Sequence, residues 1–308
     1  MTPTTTQGAT PGFTKRERLW AFQARYAPYF FIAPFVLLFC AFLLYPLGRS
    51  LFISLHQTAG QRMEFVGAKN FSFLLRDDLL RWATLNTIGY TVAFLIFQIP
   101  AALGLALLLN SPKVRARNLF RFAFFAPHLV GQVFVAVIFG MLLNNNGPVN
   151  NAIRLFFPMA DIKWFNSPIM ARPAVVIASM WLSVGFGMIY FLASLQSVDK
   201  ELYEASDVDG AGAWSKFWHV TIPGIKPVLS FMILTGTIGG LQLFELPYVL
   251  FGGPGPGGAG LTIVSYLFSW VEMGELGTAA AIGWLLAAAI ITIAIFQVRV
   301  MGGKNADA

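Results

Sequence analysis

Charge divides this chain into long apolar blocks. No Asp, Glu, Lys or Arg stands in residues 26–48, 82–112, 122–153, 173–198, 227–244, 246–271 or 276–298. A helix needs about 20 mostly apolar residues to cross the hydrocarbon core of a bilayer. The pattern therefore predicts six membrane-spanning helices, at 29–54, 85–110, 119–143, 173–197, 226–250 and 277–299. The apolar stretch 261–272 is too short to span and reads as a re-entrant or interfacial segment. Turn chemistry separates the blocks. Asn144-Asn145-Asn146-Gly147-Pro148 closes the third, and the Gly/Pro-rich run from Phe251 to Gly260 follows the fifth. The expected fold class is an all-α integral membrane protein with six transmembrane helices. Its parts are a tail over 1–28, partly disordered, a membrane domain over 29–299 and a short tail over 300–308.

Polar residues inside these blocks are the first pointers to chemistry. Gln98 and Pro100 lie in the middle of the second span. A glutamine at that depth is costly in lipid and is expected to face other helices. The fourth span carries Trp181, Gly185, Gly187 and Tyr190. The fifth holds Glu245, the one acidic residue inside any predicted span, followed by Pro247. Proline lacks an N–H and disfavours helix at the residue before it, so the helix is expected to distort beside Glu245. Irregular backbone at membrane depth is tolerated where it is buried in protein or lines water. Gln242 precedes Glu245 by three residues, on the same face of a continuous helix, and Phe244 and Tyr248 are four apart on an adjacent one. A carboxylate, an amide and aromatic rings suit a sugar, whose hydroxyls meet the polar groups and whose C–H face stacks on a ring. Trp181, Gln242, Glu245 and Tyr248 are thus candidates to line a substrate path. The alternative is that Glu245 stands near the outer interface and caps a helix end.

Composition fits the span count. Only 11% of the 308 residues are charged and 56% are hydrophobic, against about 25% charged in soluble domains. The net charge of +7 would suggest nucleic acid in a soluble protein. Here its distribution matters more, and no nucleic-acid partner is expected. With six spans and the N-terminus inside, thirteen of the 21 Lys and Arg fall in cytoplasmic segments and eight in outer ones. The two densest clusters, 15–25 and 113–121, both lie inside, in keeping with the positive-inside rule. The chain is then expected to have both termini in the cytoplasm.

Other chemistry is not invited. Cys40 is the single cysteine, and His56, His128 and His219 lie on different segments, without metal-ligand spacing. No phosphate-binding G-x-x-x-x-G-K-[ST] loop, nucleophile elbow or H-E-x-x-H occurs. No cofactor, metal or catalytic residue is expected. The outer segment 144–172 holds Phe156, Phe157, Trp164 and Phe165. Such aromatics anchor at the headgroup level, or alternatively meet an external protein.

One polar segment stands apart. Residues 200–211 form an amphipathic helical pattern, with Leu202, Tyr203, Val208 and Ala211 apolar, and Gly210 is suited to a left-handed cap. A second short helix through Trp214, Phe217 and Trp218 is expected next, and a new long helix after Pro223 and Pro227. The product is a helix–Gly–helix knob whose apolar faces have no membrane to enter and need a protein partner.

The same residues carry a family resemblance. Glu204-Ala205-Ser206, Gly210 and Val220-Thr221-Ile222-Pro223 are similar to the EAA loop of ABC-importer permeases, Glu-Ala-Ala, three residues, Gly, nine residues, Ile-x-Leu-Pro. Ser206 and Val220 are mild departures, while Asp209-Gly210-Ala211 keeps the core of the pattern. The lead-in from Leu195 to Tyr203, Phe65-Val66-Gly67 with Asn70-Phe71, and Gly252-Gly253-Pro254 extend the likeness to the carbohydrate branch. Over residues 15–300 the chain resembles the permease subunit of a carbohydrate ABC importer, of the kind similar to the larger maltose permease and the glycerol-phosphate and lactose permeases.

That resemblance implies a multi-pass type I importer permease in the plasma membrane of a prokaryote, not itself an enzyme. It implies docking of the loop 199–225 on an ATPase, with Glu204, Ala205, Asp209, Gly210, Ala211, Phe217, Ile222 and Pro223 in the coupling surface. The implied partners are a second permease subunit in a heterodimer, two copies of a cytoplasmic ATP-binding subunit, an extracytoplasmic sugar-binding protein and the lipid bilayer. A permease of the same type for a non-sugar solute is the alternative. An ion-coupled carrier or channel is the other, although no internal repeat supports it.

Overall fold

The computed structural model describes residues 15–59, 62–157 and 162–302. The expected disorder before residue 15 and the tail beyond residue 302 lie outside them. The chain divides into two compact units, Met1–Ile53 and Ser54–Ala308. In the first, α1 (Lys15–Phe39) runs through a π turn (Cys40–Leu44) into α2 (Tyr45–Ser54). The helix begins at Lys15 rather than near residue 29, so the segment 15–28 is helical and continuous with the first span. The π turn has a local cause. Pro46 has no N–H, and its ring would strike the carbonyl four residues earlier. Widening the preceding turn lets the Tyr45 N–H reach Cys40 O, five residues back.

The second unit opens with a feature the all-α expectation omitted, an antiparallel hairpin of β1 (His56–Ala59) and β2 (Arg62–Phe65), with His56 opposite Phe65. It is pinned from both sides. Asn70, on α3 (Lys69–Leu74), donates to the carbonyls of Ser54 and His56 at 2.9 Å, and the Gly277 N–H donates to Thr58 Oγ1 at 3.1 Å. The second span is α4 (Asp78–Asn110), capped by Asp77, whose Oδ1 accepts from Leu79 N at 2.8 Å. The other oxygen of Asp77 accepts from the Tyr266 hydroxyl. Burial, with that hydrogen bond, pushes the Tyr266 pKa up to about 12.

The third predicted span is not straight. α5 (Arg117–Phe125) tightens into a 3₁₀ turn (Ala126–Leu129), and α6 (Gln132–Leu142) leaves it at a bend of 103°. Pro127 withdraws a backbone donor there, and Val130 and Gly131 are extended. The short α7 (Pro148–Phe156) follows, and then α8 (Pro168–Ser197), the fourth span. Next come α9 (Lys200–Val208) and α10 (Ala213–Lys216).

The knob's second helix does not end before the fifth span, contrary to expectation. α10 passes through a second π turn (Phe217–Thr221) directly into α11 (Ile222–Leu241). The spacing repeats the first unit: each π turn ends two residues before a proline, Pro46 or Pro223.

At its far end α11 stops at Leu241, short of the expected residue 250. A new helix, α12 (Glu245–Phe251), starts after a three-residue break. Pro247 thereby falls in the first turn of α12, where no donor is required. The short apolar stretch after the Gly/Pro-rich loop forms α13 (Ile263–Glu272), and α14 (Leu276–Gly302) closes the chain. Among the described residues, five helices are long and apolar enough to cross a membrane, or six if the bent α5–α6 pair counts as one. In the second unit no more than 39% of the apolar stretch of any straight span is buried. The remaining apolar surface, with Ile96, Phe134 and Ile291 exposed, is that of a protein solvated by lipid.

Candidate functional site

The two interrupted helices meet. α6 and α12, each the second half of a broken span, pack on one another, with Val135, Ala136, Phe139 and Leu246 in one buried cluster. Beside this contact lies a cavity of about 210 Å³. Four spans line it, α4 and α8 at mid-length and α11 near its far end. Tyr90, Phe94 and Gln98 come from one face of α4, His128 and Gln132 from either side of the α5–α6 bend, and Ser179, Ser183 and Phe186 from α8. Thr235, Gly236 and Gly239 of α11 complete the wall, with Leu243 from the α11–α12 break. No Asp, Glu, Lys or Arg is among its lining residues.

Its polar groups are amides, hydroxyls and an imidazole. Ser179 and Thr235 donate to carbonyls of their own helices, Val175 O and Phe231 O, each at 2.8 Å, so their oxygen lone pairs remain to accept. Gln98 is 2% exposed and faces neighbouring helices, as its depth in the span predicts. Gly187 makes room for it, since a Cβ there would come within 2.7 Å of Gln98 Nε2. Rings continue along one wall. His128 stacks on Phe186 at 4.6 Å, Phe186 lies 4.6 Å from Tyr190, and Tyr190 stacks on Phe231 at 5.4 Å. Hydroxyl and amide groups beside aromatic faces bind an uncharged polyol by hydrogen bonding and C–H contact.

The four residues singled out on the path stand outside this cavity. Trp181, Gln242, Glu245 and Tyr248 do not line the cavity. Gln242 and Glu245 are exposed, and the helix break between them means they do not share one helical face. Glu245 opens α12, at the positive end of that helix. Tyr248 packs with Phe244 and Phe268, and Trp181 with Phe139. The sequence reading passed over Gln132, Ser179, Ser183 and Thr235. The available signal was that each is a polar residue in an otherwise apolar run, with Ser179 and Ser183 one turn apart.

The knob forms the second half of the site. Asp199 caps α9 by accepting from Glu201 N at 3.0 Å. The other end closes as a Schellman motif: Ala211 N donates to Ser206 O at 2.9 Å and Gly210 N to Asp207 O at 3.1 Å. This closure needs Gly210 at φ +72°, the left-handed region. Lys216 pairs with Asp207 across the turn. The rings of Trp214, Phe217 and Trp218 pack on one another at 5.2–5.9 Å.

Part of this unit is sealed and part is bare. Tyr203 bonds Thr221 at 3.0 Å, and Tyr203, Phe217 and Ile222 pack on the buried cluster that contains Val198 and Ile225. In contrast, Val208 is 88% and Trp214 73% exposed, and Glu204, Ala205, Asp209, Gly210 and Pro223 also face outward. Ala211 is half-buried. The knob is thus fixed to α11 at its base and presents an apolar and acidic outer surface.

Comparisons with known proteins give consistent matches. The family model described as binding-protein-dependent transport system inner membrane component matches residues 98–302. The chain is 36% identical over 283 residues to the arabinooligosaccharides transport system permease protein AraP of Bacillus subtilis, which covers 91% of this chain and 90% of that one. It is 34% identical to the lactose transport system permease protein LacF of Rhizobium radiobacter, over 87% of this chain and 91% of that one. Its fold is similar to a chain of a bacterial alginate ABC transporter solved in complex with an alginate pentasaccharide-bound periplasmic protein. The TM-score is 0.79 at 25% identity, covering 91% of this chain and 96% of that chain.

Proposed function

The chain belongs to the family of binding-protein-dependent transport system inner membrane components, and from that premise we propose that it is the sugar-conducting permease of an ATP-driven importer. The observation that carries the substrate reading is the uncharged cavity where the α5–α6 and α11–α12 interruptions converge. Its amides, hydroxyls and stacked rings suit a neutral mono- or oligosaccharide delivered by an extracytoplasmic binding protein. Relatives named for arabinooligosaccharides and lactose support the same class.

The knob 199–225 faces the cytoplasm in this reading, with both termini, and two ATP-binding subunits grip the complex there. Glu204, Ala205, Asp209, Gly210, Ala211, Phe217, Ile222 and Pro223 form the coupling surface on this chain. A second permease completes the pair. The exposed break with Gln242, Glu245, Tyr248 and nearby Trp181 is the side of the path that this second subunit closes. Closure of the ATPase pair moves the knob, and α10 and α11 carry that motion to the cavity as one helix, an element with two discrete positions.

The test is transport by purified components. Reconstituted in vesicles with its partner permease, ATPase and loaded binding protein, the chain should accumulate a neutral sugar only when nucleotide is hydrolysed. Uptake that persists without the ATPase, or residues 200–225 labelled from the outer side, would defeat the proposal.

A further inference from the structure

A groove on the lateral face of the bundle has a chemistry separate from the cavity. It lies between α4 and α8, with a volume of about 620 Å³. Leu85, Gly89, Ala93 and Phe97 line it at four-residue intervals, so they form one slanted ridge on α4. Pro173, Ile177 and Met180 of α8 face them. At 1.5 Å per residue the ridge from Leu85 to Phe97 runs about 18 Å along the helix. One leaflet of a bilayer is about 15 Å of hydrocarbon, half of a core of about 30 Å.

The groove is polar at one end only. Arg172 and Asn86 stand at the end nearest the starts of both helices, and the ridge beyond Tyr90 is apolar. Arg172 is held in place: its Nε donates to Asn86 Oδ1 at 3.2 Å, and its guanidinium lies 5.9 Å from the Trp82 ring. Asn86 is itself fixed, donating to Gly258 O at 2.6 Å and Leu261 O at 3.2 Å. No carboxylate among the described residues pairs with Arg172. Its Nε is occupied, and its two terminal nitrogens are left to form the planar fork that fits phosphate oxygens.

We infer that this groove is a binding site for one anionic phospholipid, with the phosphate on Arg172 and an acyl chain laid along Gly89 and Ala93. Charge and length argue together. A cation sits at the depth of an interfacial tryptophan, and an apolar channel one leaflet long starts from it. A zwitterionic lipid fits less well. Its ammonium would stand beside Arg172, and no acidic side chain among the described residues lines the groove to receive it. The inference rests on the chain spanning a membrane and is independent of which solute it carries.

The experiment is native mass spectrometry of the full-length purified chain, titrated with phosphatidylglycerol or phosphatidylcholine. The wild type should retain one phosphatidylglycerol about tenfold more tightly than phosphatidylcholine, since both lipids offer a phosphate but the choline ammonium is repelled by Arg172. Arg172→Gln should erase that preference, and Arg172→Lys should keep most of it. Gly89→Leu should displace the chain of either lipid, and its added atoms meet open space, since nothing lies within 4 Å of a Cβ at that position. Equal retention of the two lipids by the wild type would overturn the inference. So would titrations of Arg172→Gln and Gly89→Leu that overlay the wild type. In a Cys40→Ala background, Gly89→Cys that cross-links to a second permease in the assembled complex would assign the groove to a protein partner and overturn it equally.

Discussion

The two ends of α11 respond to proline in opposite ways. Before Pro223 the helix widens into a π turn and carries on, so α10 and α11 remain one rod. Before Pro247 it stops, leaves Gln242 to Phe244 irregular, and starts again as α12. A widened turn leaves α10 and α11 one continuous helix, Ala213–Leu241. A stopped helix gives up that continuity and opens space, and the cavity lies at that end. One helix thus joins the exposed knob to a wall of the cavity.

The strongest way to break this contrast is at the knob. Gly210→Asp places a side chain on a left-handed residue, about 1–2 kcal/mol of strain, and a carboxylate on the exposed turn. Nucleotide-driven uptake should fall about tenfold or more while the chain still inserts and binds its partner permease. Unchanged uptake in vesicles would show that this turn transmits nothing.

At the other end, Gln98→Leu removes an amide from the cavity. The sugar concentration giving half-maximal uptake should rise about 5–30-fold, as for a lost hydrogen bond of about 1–2 kcal/mol. Glu245→Ala, on the exposed side of the break, should lower uptake by a smaller factor of about three, in line with the modest worth of exposed charges. Kinetics of the two variants side by side decide which face the solute touches. If Glu245→Ala is silent, Glu245 is off the path.

The smallest effect is expected at the junction itself. Pro223→Ala restores a backbone donor, so the turn 217–221 should relax toward α-helix and its amides should exchange more slowly with solvent. Uptake should change by no more than about twofold, because the relaxed turn is still helical. Exchange rates that do not move would mean that packing of Phe217 and Ile222, rather than Pro223, sets the π turn.

Much of this was legible in advance. The charge-free blocks placed the spans, and Gly210 marked the end of α9. Pro247 announced a distortion near Glu245. The bend at Pro127 was harder to read, because Pro100 and Pro173 also lie in spans and leave their helices unbroken. Position in the sequence does not distinguish these prolines. What distinguishes them is which neighbours stand ready to pack on the freed segment, as α12 does on α6.

The sequence by itself determined which segments are long and apolar enough to span, where α9 ends and that an aromatic knob lies between two of them. Those features depend on chemistry within a few residues: charge, a missing Cβ, a missing N–H. The cavity was decided by tertiary structure. Gln98, His128, Ser183 and Thr235 come from four separate segments and carry no shared spacing. Only the packing of α4, α8 and α11 around two broken helices brings them to one wall, since contacts between distant parts of a chain leave no local mark.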